Sequence, residues 1–442
     1  MSRLVILWTT LFLLLSMLFL VRYHIVGQAI YGDGIYYWAY TRSLIIDHDL
    51  DLRNEGAHTY GPRTNNSFSP GPQGSDTTDL SKNKYYPLGP TLLWSPFFIV
   101  AHLLVLLAIA TGAPVPTNGY ADLYQITVGL INIGFVVVGL VLLNTLLRKY
   151  FSPFTSLTTS LLVLFTTNLF YYGSLDVLNS HPSSFLLATL FSYCFVVYRE
   201  KMNTKQWLSL GILLGVMTII RLQDSIFILM PLSLFLRQLN VSKRNKKFDS
   251  FVNFFAFLVG SFVGFLPQLI ASAIIYKSFF LIPYTLGSDE LNFLDNKLLH
   301  LFLDSQKGLF WYSPVFITGL IGLRLLKGKL AQVRLPFFSA ILTSLFLVGA
   351  WSGWSQGESY GMRMFISLLP LLSFGIAEMV TLVSRYLSKP AIIIIGLLFV
   401  LQNLVLITAF HLFFHNPTYV GDELSQSGKL KTEILHHLQR LK

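Results

Sequence analysis

The chain has 442 residues, 53% of them hydrophobic and only 12% charged, and its mean hydropathy is +0.59. Soluble domains carry roughly 25% charged residues, so this is a polytopic membrane protein with little room for a soluble domain. The net charge of +11 does not point to nucleic acid, because the basic residues fall in short loops between apolar runs, where membrane topology accounts for them. Cys194 is the only cysteine, which excludes an intrachain disulfide and a thiolate metal cluster.

A membrane helix needs about 20 predominantly apolar residues. The first such run, Leu4 to Val21, is followed by Arg22-Tyr23-His24 and has no small-residue cleavage site. It reads as an uncleaved first helix rather than a signal peptide. Spans follow near 4–26, 121–147, 154–172, 182–198, 206–220, 223–237, 250–276, 309–326, 335–351, 364–384 and 391–413, eleven in all. Two are short and meet at Arg221-Leu222-Gln223-Asp224. The apolar stretch Leu88 to Ala110 starts behind Pro87 and contains Pro90, Pro96 and His102. It is expected to stay within the first outer loop as a re-entrant or interfacial helix.

Lysine and arginine then orient the chain. With eleven spans and a cytoplasmic N-terminus, five basic clusters fall inside: Arg148-Lys149; Arg199, Lys201 and Lys205; Arg237 to Lys247; Arg324 to Arg334; and Arg385 with Lys389. The expected layout is an all-α polytopic membrane protein. Residues 1–26 hold the first helix, 27–120 a large outer loop, 121–413 the helical bundle and 414–442 a short polar tail.

Polar groups then gather on one face. The first loop carries Asp33, Asp47, Asp49, Asp51 and Lys84; the second Asp176, Asn179 and His181; the third Arg221 and Asp224. A later loop runs from Trp351 through Glu358 and Tyr360 to Arg363. Ionisable groups at membrane depth are costly and mark function. Asp47, Asp49 and Asp51 are spaced two apart, as hard-cation ligands can be, yet the glycine turn and terminal glutamate of an EF-hand are missing. They read as solvated loop acids. No metal ligand set is assigned, and a divalent metal has no support beyond this spacing. There is no zinc-ligand spacing, nucleophile elbow or glycine-rich nucleotide loop.

Tyr31-Gly32-Asp33-Gly34-Ile35-Tyr36-Tyr37 and the following Ser43 to Asn54 resemble the first loop of bacterial GT-C glycosyltransferases. These are membrane enzymes related to the dolichyl-phosphate-mannose protein mannosyltransferases and the aminoarabinose lipid A transferases. Tyr86-Pro87-Leu88-Gly89-Pro90, Asn179-Ser180-His181-Pro182, Gly211 to Gly215 leading to Arg221-Leu222-Gln223-Asp224, Gly308 to Pro314, and Ser359 to Arg363 follow in the family's order. The order persuades more than any single motif. The family often has Asp-Glu where this chain has Asp33-Gly34, so a second acid would have to come from elsewhere, such as Asp47.

The resemblance implies an inverting transfer of a sugar from a polyprenyl-phosphate-sugar donor to a hydroxyl of a glycan, lipid or protein acceptor. The site would lie on the extracytoplasmic side of the plasma membrane. It casts Asp33 as general base, and Arg221, Arg363 and Lys84 as partners of the donor phosphate. His181, Asp224, Glu358 and Tyr360 are further candidates for substrate contact. The bland alternatives are that Asp33 caps a helix, that Arg221 pairs with Asp224 and that Arg363 pairs with Glu358. A competing class is a transporter or flippase for lipid-linked glycans, because short paired helices with charges at their junction suit transport sites. No internal repeat supports it.

Overall fold

The computed structural model describes residues 3–55, 63–64, 67–68, 86–241, 244–280, 290–357 and 359–411. Lys84, Glu358 and the tail 414–442 lie outside these residues. In chain order the elements are α1 (Arg3–Val26), α2 (Gly34–Arg42), a π-turn (Ser43–Asp47), a two-residue hairpin of β1 (Arg63–Thr64) and β2 (Ser67–Phe68), α3 (Gly89–Ala110), α4 (Asp122–Leu147), α5 (Pro153–Phe165), α6 (Leu169–Tyr172), α7 (His181–Tyr198) and α8 (Thr204–Ile220). A 3₁₀ turn (Leu222–Ile228) leads into α9 (Leu229–Val241), followed by α10 (Arg244–Tyr276), α11 (Leu298–Leu303), α12 (Leu309–Tyr312) and α13 (Pro314–Leu325). A second 3₁₀ turn (Gly328–Val333) opens α14 (Arg334–Ala350), a third (Arg363–Leu368) opens α15 (Leu369–Val383), and α16 (Lys389–Ala409) closes the bundle. Among the described residues, eight helices are long and apolar enough to cross a membrane, and three shorter apolar ones accompany them.

Helix starts follow local chemistry. Proline stands in the first turn of α3, α5, α7, α13, α15 and α16, where its missing N–H costs nothing. Ser152 accepts from the Thr155 amide at 3.1 Å to cap α5. Asn203 and Gln206 close a reciprocal capping box on α8.

Packing inside the bundle rests on glycine at close crossings. A Cβ on Gly211 would meet the Phe257 carbonyl oxygen at 2.0 Å, and one on Gly264 the Ile212 oxygen at 2.3 Å. Contacts advance along α8 and α10 together, so these helices run parallel with α9 returning between them. Gly322 of α13 against Gly375 of α15, 1.9 Å to its oxygen, repeats the arrangement. Small residues let backbones approach where lipid supplies no hydrophobic drive for association. The long outward rows, such as Phe248, Phe255 and Phe262 on α10, are exposed, as a lipid-facing surface would be.

Helices alternate direction, so the polar junctions collect at one end. Tyr23 Oη donates to Asp122 Oδ1 at 2.7 Å, and the Ala29 amide donates to Gln125 Oε1 at 2.9 Å. The end of α1 therefore meets the start of α4, and residues 27–121 leave and return at the same end of the bundle. Within them α3 is the one helix of spanning length among the described residues. Its first turn is bound to Gln268 through the Leu88 amide at 2.8 Å. The chain after it is pinned to α2, where Arg42 Nε donates to the Asn118 oxygen at 2.7 Å and Trp38 Nε1 to the Gly119 oxygen at 3.1 Å. By composition α3 could cross a bilayer; its connections return it to the end it started from. Among the described residues, Lys149, Arg199, Arg237, Lys329 and Lys389 of the basic clusters lie at the opposite end.

Candidate active site

Asp33 lies in the turn before α2, after Gly32 at φ +56°. It occupies the N-cap position, yet its side chain makes no capping bond. Instead Oδ2 pairs with Arg363 Nη2 at 2.9 Å, and Oδ1 accepts from Tyr86 Oη at 3.1 Å. The carboxylate keeps 27% of its side-chain exposure, so it is positioned but still open to an incoming group. Arg363 opens the 3₁₀ turn before α15, just after Gly361 at φ +60°.

Gly34 departs from the Asp-Glu pattern for a steric reason. A Cβ there would sit 2.1 Å from the Leu178 carbonyl oxygen, so the start of α2 lies directly on the second loop. That loop brings Asp176 to the site. Burial pushes the Asp176 carboxyl up, Arg22, Asn179 and Arg363 pull it down, and Asp33 adds to the upward push. Asn179 Nδ2 donates to Asp176 Oδ1 at 3.1 Å. Arg22 fixes the loop from α1, donating through Nη1 to the Leu175 oxygen at 2.7 Å. In the sequence the signal of Asp176 is its place as an ionisable residue in the short loop between α6 and α7.

Arg221 ends α8 and is 8% exposed. Its Nη1 donates to Ser180 Oγ and to His181 Nδ1, each at 2.9 Å. Guanidinium has only donors, so the facing ring nitrogen must be the acceptor and carries no proton. Nη2 donates to Gln223 Oε1 at 3.2 Å and touches Met364 Sδ at 2.8 Å. The alternative Arg221–Asp224 pair does not form: Asp224 is fully buried and accepts from Ser184 Oγ at 2.6 Å. Arg221 and Asp33 are linked through side chains. Tyr37 Oη donates to Ser180 Oγ at 3.4 Å, and its ring meets the Tyr86 ring edge-on with centroids 5.6 Å apart.

Other expected residues sit elsewhere. Asp47 Oδ2 pairs with Arg42 Nη1 at 2.5 Å, and the same nitrogen holds Glu55 Oε1 at 2.6 Å. Asp47 thus sits with Arg42 at the far end of α2, a helix about 14 Å long, rather than beside Asp33. The buried Arg42 drew it there. Asp49 Oδ1 accepts from Ser43 Oγ at 2.7 Å, and Asp51 is engaged by Arg53. Tyr360 is fully buried; its Oη donates to Asn403 Oδ1 at 2.6 Å and its amide to Tyr172 Oη at 3.0 Å. It braces the turn that carries Arg363. His181 starts α7, its amide bound by Asn179 Oδ1 at 2.8 Å, and faces Arg221 rather than open space.

Residues 125–271 match the family model described as dolichyl-phosphate-mannose-protein mannosyltransferase. The match includes Asp176, His181, Arg221 and Asp224 but stops short of Asp33 and Arg363. ArnT from Cupriavidus metallidurans, in its apo state, superposes with a TM-score of 0.50 at 13% identity, over 94% of this chain and 67% of that one. The chain shares the fold of that protein. The archaeal oligosaccharyltransferase AglB from Archaeoglobus fulgidus, in complex with an inhibitory peptide and a dolichol-phosphate, gives a TM-score of 0.46 at 11% identity, over 91% of this chain and 55% of that one. This chain spans about two thirds of the length of ArnT and about half that of the oligosaccharyltransferase. No curated protein sequence matches it.

Proposed function

We propose that this protein is an inverting glycosyltransferase of the GT-C type that moves a sugar from a polyprenyl-phosphate-sugar donor to a hydroxyl acceptor. The observation that carries the reading is Asp33: a partly open carboxylate aimed away from its own helix, paired with Arg363, at the end of the bundle that also holds Arg221. In the reaction the acceptor oxygen attacks the anomeric carbon from the face opposite the phosphate. The C–O bond to phosphate breaks, Asp33 takes the hydroxyl proton, and the lipid phosphate departs with the electron pair. A single displacement inverts the anomeric centre. Help from a positioned base is worth roughly 10² to 10⁴-fold.

The leaving phosphate needs cationic donors in a water-poor site, and the planar guanidinium fork suits its oxygens. Arg363 and Arg221 take that role, with Lys84 a third candidate from the first loop. Arg363 then leaves Asp33 for the donor phosphate, which frees the carboxylate for the acceptor proton. Asp176 adds negative charge opposite Arg363 and holds its guanidinium near the pair. The basic clusters at the far end support placing the Asp33 end outside the plasma membrane. The name of the matched family supports a lipid-phosphate donor. The transporter alternative has less behind it, because the ionised groups sit at one end of the bundle instead of at its middle.

The test compares lipids and surface glycans by mass spectrometry in cells that lack the gene, then in cells complemented with wild type or with Asp33→Asn. Wild type should restore one sugar residue, and Asp33→Asn should leave it missing at normal protein level and unchanged thermal stability. Restoration of that sugar by Asp33→Asn would remove the base assignment.

A further inference from the structure

Away from Asp33, at the other end of α7, an open groove of about 1000 Å³ lies between the last turn of α7, helix α9 and the start of α14. Eighteen residues of α7 separate it from the candidate site, about 27 Å of helix. Its walls have two characters. Leu232, Leu236 and Leu335 give it apolar surface, with Leu236 and Leu335 50% and 71% exposed. Arg199, Arg237 and Gln238 add cationic and polar groups, beside Glu200.

Arg199 is the unusual member. Basic residues collect at this end of the bundle, but Arg199 is folded inward and only 6% exposed. Nη2 donates to the Lys329 oxygen at 3.0 Å and stands 4.0 Å from Glu200 Oε1, while Nη1 is taken by the Val196 oxygen. Nε is buried and has no hydrogen-bond partner among the described residues. A buried donor without an acceptor is costly, and here it belongs to a cation that lines a groove open to the exterior.

We propose that this groove binds an anionic phospholipid of the surrounding bilayer. The headgroup phosphate lies between Arg199 and Arg237, a turn of the Arg199 side chain presents its orphaned Nε to the phosphate oxygens, and an acyl chain runs along Leu236 and Leu335. The apolar wall selects a lipid over a free anion, and the two arginines outweigh Glu200. The site is separate from the candidate active site and does not rest on the glycosyltransferase reading.

Full-length protein in phosphatidylcholine nanodiscs, with and without a phosphatidylglycerol fraction, tests this. Native mass spectrometry reads retained lipid and thermal unfolding reads the apparent midpoint. Wild type should retain phosphatidylglycerol over phosphatidylcholine and unfold at a higher temperature when it is present. Arg237→Gln, at an exposed position, should weaken retention roughly tenfold, the loss expected for one charge-assisted hydrogen bond. Arg199→Lys, which keeps the charge but loses the fork, should do the same. Asp33→Asn should retain the lipid as wild type does, so failure here and failure of the catalytic reading are told apart. No preference for phosphatidylglycerol, unchanged retention in both arginine variants, or an equal midpoint shift from inorganic phosphate in phosphatidylcholine discs would each overturn the proposal.

Discussion

At Gly34 the missing side chain is what lets two loops share one site. The obstruction is the Leu178 carbonyl, a backbone atom, so no smaller neighbour can relieve it. Gly34→Ala should lower the apparent unfolding midpoint by an amount in keeping with overpacking, about 1–3 kcal/mol. It should also cut transfer by pushing Asp176 away from Arg363; a variant as stable and active as wild type would show that the two loops are not in register as described. A second residue-scale expectation concerns Glu55. Burial pushes its carboxyl up to about 8 against the pull of Arg42. The protonated acid therefore suits the fold better than the carboxylate. Its stabilisation is full below the ordinary glutamate range and is lost as pH rises through about 8. Wild type should lose thermal stability over that window, and Glu55→Gln should flatten the profile when unfolding is followed at a series of pH values.

Among the elements, α3 was the hardest to read. Its composition is that of a membrane span, and only its connections oppose a crossing. Hydropathy sees a helix one residue at a time, whereas the Tyr23–Asp122 and Arg42–Asn118 contacts join residues far apart in the chain. A cysteine placed at Val115, after Cys194→Ser, should be labelled by a membrane-impermeant thiol reagent from the same side as one placed at Asp51. Labelling of the two from opposite sides would make α3 a true crossing and reverse the placement of everything before it. The 3₁₀ turns before α9 and α15 were legible as a junction in one case, Arg221-Leu222-Gln223-Asp224, because charges interrupt an apolar run. Before α15 the Gly361–Arg363 sequence gave the same cue.

For the molecule as a whole, the sequence made legible what depends on local pattern: the apolar runs, their capped and proline-led starts, and the segregation of basic loops from Asp33 and Arg221. It did not show which polar groups meet. Arg363 reaches Asp33 from the far part of the chain, and Asp176 rather than Asp47 is the acid whose charge interacts with both. Such pairings depend on helix packing, which glycines at 211, 264, 322 and 375 set through backbone contact that no periodicity reveals. The closure of residues 27–121 has one more consequence. Because the end of α1 and the start of α4 stand one hydrogen bond apart, everything between them is a cassette plugged into an otherwise continuous bundle. A relative could exchange that cassette, and with it the carboxylate and the surface an acceptor meets, without rethreading a single helix of the scaffold that carries Arg221 and Arg363.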